Sequence, residues 1–158
     1  MSEILRVENL KMYFPLETTL FGKVTKSVKS VDDISFSIEK GTTFGLLGES
    51  GCGKTTAGKC ILRLLTPTDG KIVFDGTDIT KLSNQKMAPH RRDIQMIFQD
   101  PYGSLDPRQT VGSIVREAIK ADGKPHTKEQ LDARTDELLT MVELSPAFAG
   151  RYPHELSG

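Results

Sequence analysis

Residues 48–55 read Gly-Glu-Ser-Gly-Cys-Gly-Lys-Thr, which matches the pattern G-x-x-x-x-G-K-[ST]. Each position has a chemical reason. Glycines let the backbone curl until successive N–H groups face one phosphate chain. A helix that starts directly after such a loop adds its free N–H groups and dipole, and both favour an anion. A lysine at position 54 reaches the β- and γ-phosphates, and a threonine hydroxyl at 55 is a ligand for Mg²⁺. Gly48, Glu49, Ser50, Gly51, Cys52, Gly53, Lys54, Thr55 and Thr56 are therefore the candidate nucleotide-binding residues. The thiol of Cys52 has no histidine nearby in sequence to activate it and is read as incidental. Kinases, GTPases, recombinases and transport ATPases share such a loop, so it implies a nucleotide without saying what the nucleotide is used for.

The flanking sequence has the elements this loop needs. Residues 43–47, TFGLL, form a short apolar run without alternation, as expected of a strand buried on both faces. After the loop, Ala57, Cys60, Ile61, Leu64 and Leu65 fall at helical spacing, and Pro67 is the expected stop. Upstream, residues 4–10 read as a strand, and residues 16–30 as a polar loop or an extended hairpin. Ile34, Phe36 and Ile38 alternate with polar residues in a half-buried strand closed by Gly41. Two short strands are expected around an Asp75-Gly76 turn. Residues 83–92 are polar, helical or looped, and 93–98 form a second candidate for a buried strand. From Thr110 the pattern is helical. Thr110 can cap one helix, and Thr127 with Gln130 forms a capping box before a longer one through Val142, with Leu131, Leu138 and Val142 on one side. The fold class is α/β at the front and all-helical at the rear.

Composition excludes other classes. Among 158 residues, Lys+Arg and Asp+Glu each number 21, so there is no basic excess for a general grip on nucleic acid. No apolar run approaches a membrane span, and the N-terminus lacks the pattern of a secretory signal. Two cysteines, Cys52 and Cys60, are too few for a disulfide scaffold, which fits a reducing compartment. Cys60 reads as core, and His90-Arg91-Arg92 as a solvated basic turn.

Three further stretches narrow the reading: Tyr13-Phe14, then IFQDPYGSLDPR at 97–108, then RYPHELSG at 151–158. With GESGCGKT, in this order, they resemble the ATPase domains of ABC transporters, and especially the ATPase subunits of oligopeptide and dipeptide importers. The resemblance runs from about residue 3 to the last residue. It implies a P-loop NTPase core with an antiparallel β subdomain over 1–98, and a Q-loop with part of a helical subdomain over 99–158. It implies ATP and Mg²⁺ as cofactors, with Lys54 and Gln99 catalytic and with Thr55 and Gln99 at the metal. Tyr13 or Phe14 would stack on adenine. Ser157 and Gly158 match the start of the LSGGQ signature, which meets the nucleotide of a second ATPase subunit across a homo- or heterodimer. His154 belongs to the stretch before the signature and reads as surface or core.

The resemblance also implies membrane permease subunits docking near Gln99, a solute-binding protein acting through them, and a position on the cytoplasmic face of the membrane. A nucleotide-binding ABC module without transport is the alternative. In the family the signature continues into a strand ending Asp-Glu and a later histidine. The chain is accordingly expected to be cut within the signature, to bind ATP but hydrolyse it poorly, and to leave 43–47 with an unpaired edge and exposed apolar faces.

Overall fold

A computed structural model describes residues 2–18, 24–100 and 102–156. The chain divides into two compact units, Met1–Met96 and Ile97–Gly158. Among the described residues no helix is long and apolar enough to cross a membrane.

The first unit is built on strands β1 (Glu3–Thr18) and β2 (Val24–Glu39), paired antiparallel along their length. Most of the polar stretch at 16–30 is thus strand, the extended-hairpin alternative. Its Thr25 and Val28 are β-branched residues that suit a pleated surface. Strands β3 (Asp69–Phe74) and β4 (Thr77–Asp78) complete a sheet of order β2-β1-β3-β4. Asp75 and Gly76 both have positive φ, 43° and 78°, as the two-residue turn between β3 and β4 requires.

Two bulges set which residues face inward. In β1 the buried residues are Leu5 and Val7, then Leu10 and Met12, so the parity switches from odd to even. Val7 faces Phe36 and Leu10 faces Ile34, which puts one extra residue in β1 between these pairs. Leu10 faces Ile34 and Met12 faces Val31, which puts one extra residue in β2. The bulged residues Asn9 and Asp33 sit at φ 48° and 62°, and Asn9 Nδ2 donates to Asp33 Oδ1 at 2.9 Å. The slip in one strand answers the slip in the other, and one apolar face survives.

That face packs against helix α1 (Lys54–Ile61) through Ala57 and Cys60, with Ile72, Ile79 and Met87 in the same core. Each fully buried Val, Leu, Ile or Met side chain of this core stabilises by about 1.5–3 kcal/mol. The short helix α2 (Asn84–Met87) supplies Met87 and is capped by Ser83, and His90–Arg92 follows as a 3₁₀ turn in which the two arginines are exposed and His90 is half-buried against Phe74.

The structure corrects three expectations here. Helix α1 ends at Ile61 rather than near Pro67. Arg63 adopts φ 55°, its N–H donates to the Cys60 carbonyl, and the Leu64 N–H donates to the Lys59 carbonyl, a Schellman ending. Its guanidinium offsets the left-handed conformation by donating to the carbonyls of Ile79 and Leu82. Leu64 is left 48% exposed. Neither 43–47 nor 93–98 is a strand. A strand needs partners for its N–H and C=O groups, and among the described residues neither segment pairs with one. Leu47 and Ile97 are 94% and 93% exposed, and Phe44 stacks on Phe36 at 4.8 Å. The apolar residues expected to be exposed at 43–47 are so, at Phe44, Leu46 and Leu47, but the segment is not a strand with an open edge.

The second unit holds helices α3 (Val111–Lys120) and α4 (Lys128–Met141). Thr110 caps α3, and Thr127 with Gln130 makes the expected capping box. Leu131, Thr135 and Leu139 are the buried face of α4, with Thr135 donating to the Leu131 carbonyl at 2.7 Å. Val142 caps the helix and is exposed, against expectation, because the buried stripe runs through Leu139 instead.

Gly70 shows how tightly the bulge is built. Its φ is 101°, and a Cβ there would stand 2.6 Å from the Asn9 carbonyl oxygen and 2.7 Å from Leu10 Cα. Gly70→Ala is expected to destabilise the protein by about 2 kcal/mol or more. A urea melt checks this, and an unchanged midpoint would contradict the account.

Candidate functional site

The loop at 48–53 curls where its glycines allow. Gly51 and Gly53 have φ of 81° and 95°, in the left-handed region. At Gly48 a Cβ would lie 2.7 Å from Cys52 Sγ, and at Gly53 it would lie 2.0 Å from the Ser30 carbonyl oxygen. At Gly53 the backbone itself excludes a side chain, whereas at Gly48 the Cys52 thiol would have to turn away. The loop then opens into α1, for which Gly53 is the N-cap. No side chain caps this helix, and its first turn contains no acidic residue. Its leading N–H groups therefore face no built-in anion.

Lys54 lies across the loop. Its Nζ donates to the Gly48 and Glu49 carbonyls, both at 2.6 Å, and lies 3.4 Å from Cys52 Sγ. The ammonium thus sits inside the curl, where an anion would meet it together with the helix N-terminus. Thr55 is exposed beside it in the first turn of α1, with a hydroxyl suited to a hard cation. Glu49, Ser50 and Cys52 are exposed. Cys60 is buried in the core, and burial pushes its thiol up. The arrangement fits a phosphate chain with a Mg²⁺ at its end.

A cleft of about 380 Å³ opens beside the loop, with Lys29, Asp32, Leu46, Cys52 and Lys54 in its lining. Tyr13 joins this wall indirectly. Its hydroxyl donates to Asp32 Oδ1, Lys29 Nζ donates to Asp32 Oδ2 at 3.1 Å, and the same ammonium lies 5.3 Å from the Tyr13 ring centre. The bond to Asp32 holds the Tyr13 phenol above its ordinary range, with burial adding to the effect. The bonds from Tyr13 and then Lys29 hold the Asp32 carboxyl below its ordinary range. Phe14 faces the other way along the strand, opposite Val28, and is 37% exposed.

Gln99 belongs to the second unit and is exposed. Asp100 accepts from the Gly103 N–H at 3.0 Å, and Arg108 holds the Asp106 carboxyl below its usual range. His154 is exposed and stacks on Tyr152 at 5.7 Å. Ser157 and Gly158 lie outside the described residues. The structure thus brings together the loop, Lys54, Thr55 and Thr56, with Tyr13 linked to the wall of the cleft. Sequence reasoning missed Lys29, Ser30 and Asp32. For Lys29 and Ser30, the β-branched residues between 25 and 31 were the available signal for the hairpin over the loop.

A family model described as "ABC transporter" matches residues 31–158. The chain belongs to the ABC transporter family. This ABC domain is 48% identical over 156 residues to the oligopeptide transport ATP-binding protein AppF of Bacillus subtilis, covering 98% of the chain and 47% of that protein. It is also 48% identical over 155 residues to the glutathione import ATP-binding protein GsiA of Escherichia coli K12, covering 98% of the chain and 25% of that protein. The chain therefore spans about half or less of the length of these relatives. Among solved structures it is similar to a dimeric post-hydrolysis state of the ATP-binding cassette MJ0796 bound to ADP and Pi. There the TM-score is 0.78 and the identity 25%, over 98% of the chain and 63% of that cassette. These relatives fit the importer branch that IFQDP and RYPHE resemble.

The Tyr13–Asp32–Lys29 cluster has a pH signature. Tyr13 and Lys29 are held above, and Asp32 below, their ordinary values. The raised groups stabilise fully below about pH 10 and lose that contribution as pH rises through their folded values. Asp32 stabilises above about pH 4 and loses its contribution as pH falls through its lowered value. In a tyrosinate absorbance titration, Asp32→Ala is expected to return one tyrosine to the ordinary range. Identical curves for wild type and variant would contradict the assignment.

Proposed function

We propose that this ABC domain is the MgATP-binding part of an ATPase subunit that powers import of oligopeptides, dipeptides or a related small solute. The observation that carries the reading is the phosphate loop, with Lys54 Nζ drawn onto two loop carbonyls beside an uncapped helix start. On this reading the triphosphate displaces those carbonyls from Lys54. The N–H groups of the loop and of the first turn of α1 then donate to its oxygens, Lys54 reaches the β- and γ-phosphates, and Thr55 gives its hydroxyl to the metal. Mg²⁺, when bound, neutralises phosphate charge and orients the terminal phosphoryl group.

Phe14 is the residue assigned to adenine, since its ring is exposed while the Tyr13 hydroxyl and one ring face are engaged by Asp32 and Lys29. Gln99 would serve the metal and the attacking water. ATP hydrolysis is assigned to the whole protein, not to these residues alone.

The same family membership supports a set of partners. A second ATPase subunit, identical or homologous, would present its signature serine and glycine to the nucleotide bound here, as Ser157 and Gly158 would to the nucleotide of that subunit. Permease subunits would dock near Gln99 and the segment after it, and an extracytoplasmic solute-binding protein would act through them. The protein would work on the cytoplasmic face of the membrane. The importer relatives AppF and GsiA and the dimeric cassette MJ0796 support this reading.

Calorimetric titration of MgATP into this protein tests it. Saturable binding is expected, and Lys54→Ala should weaken it by about ten- to a hundredfold, since a charge-assisted contact contributes roughly 1.5–3 kcal/mol. No saturable heat, or equal affinity in the variant, would overturn the reading.

A further inference from the structure

Ser30 touches both the phosphate loop and the helix that follows it. Its carbonyl oxygen fills the space beside Gly53, 2.0 Å from where a Cβ would stand, and Val31 Cγ2 lies 3.6 Å from the same point. Its hydroxyl donates to Thr56 Oγ1 at 3.0 Å in a part-buried contact between residues 26 apart in sequence. Lys54 and Thr55 lie between these two contacts. The residue before them and the residue after them are both held by one residue of β2.

We propose that Ser30 is a positioning residue for the phosphates, acting through Thr56. The proposal rests on the reading of 48–56 as a MgATP site. An unrestrained threonine hydroxyl in a helix rotates between solvent and nearby backbone carbonyls. The Ser30 hydroxyl holds Thr56 Oγ1 in place, and with Ser30 as the donor the Thr56 proton is left for an anionic oxygen. The Thr56 side chain is also ordered before the ligand arrives, so less conformational freedom is lost on binding.

The same stretch of strand reaches the other wall of the cleft. Lys29, the neighbour of Ser30, is held to Asp32, which accepts from Tyr13. A shift of β2 would therefore move both walls together. The motif in the loop specifies none of this, since its pattern ends at Thr55.

The test is a double-mutant cycle read by calorimetry, with MgATP and with magnesium tripolyphosphate as probes. The proteins are wild type, Ser30→Ala, Thr56→Val, the double variant and Ser30→Thr, each with a thermal melt. Ser30→Ala is expected to weaken MgATP binding by about three- to tenfold, the range of one net hydrogen bond. Tripolyphosphate, which lacks the base, should weaken by the same factor. The double variant should bind no worse than the weaker single variant, because the two residues act as one unit. Ser30→Thr, which keeps a hydroxyl on a strand position, should restore wild-type affinity.

Equal affinity of Ser30→Ala and wild type overturns the proposal, as do multiplying effects in the double variant or a Ser30→Thr that binds like Ser30→Ala. If Ser30→Ala fails to melt cooperatively, Thr56→Val and Ser30→Thr decide between the same outcomes. Absence of MgATP binding by wild type would overturn the site reading itself, a result distinct from binding that ignores Ser30.

Discussion

A carbonyl oxygen of β2 stands where a side chain at position 53 would have to be. The phosphate loop depends on this approach. Only glycine admits it, and only glycine takes the φ of 95° at that point without strain. Once the contact is made, the start of α1 has a fixed place against the sheet. Ala57 and Cys60 enter the core, Lys54 lies across the curl, and Thr55 remains open beside it. Geometry that reads as a loop motif in sequence is in physical terms a contact between strand and loop.

The strand can offer that carbonyl because its own path is controlled. The paired bulges at Asn9 and Asp33 switch the parity of β1 and β2 together. Without them, Leu10, Met12 and Val31 would point away from the face that carries Leu5 and Val7. Val31 is then free to pack beneath Gly53, and Ser30 turns to Thr56. The polar cluster of Tyr13, Asp32 and Lys29 lies past the bulge, where the strands carry the wall of the cleft rather than the core.

Features with local chemistry were legible in the sequence. The loop pattern, the caps at Thr110 and Thr127, and the Asp75-Gly76 turn each depend on a few adjacent residues. Features that depend on distant partners were less so. The length of β1 and β2 was obscured because bulges interrupt the period of two and the outer residues are polar. The end of α1 at Arg63 was hidden because a non-glycine residue takes the left-handed position and its guanidinium finds carbonyls of Ile79 and Leu82. TFGLL and DIQMIF have the composition of buried strands, but a ladder is a property of two segments, and among the described residues neither has its second. The part played by Ser30 had no local signature at all, since a serine in a polar stretch carries no mark of its contact with Thr56.

The account comes down to one statement: residues 48–56, held against β2, form the site of a nucleotide's phosphates. Amide resonances of the isotopically labelled protein, followed by NMR as MgATP is added, test it residue by residue. The account predicts saturable shifts at Gly51, Gly53, Lys54, Thr55 and Thr56, with smaller ones at Lys29, Ser30 and Phe14. Saturable shifts confined to other parts of the chain, or none anywhere, would contradict it.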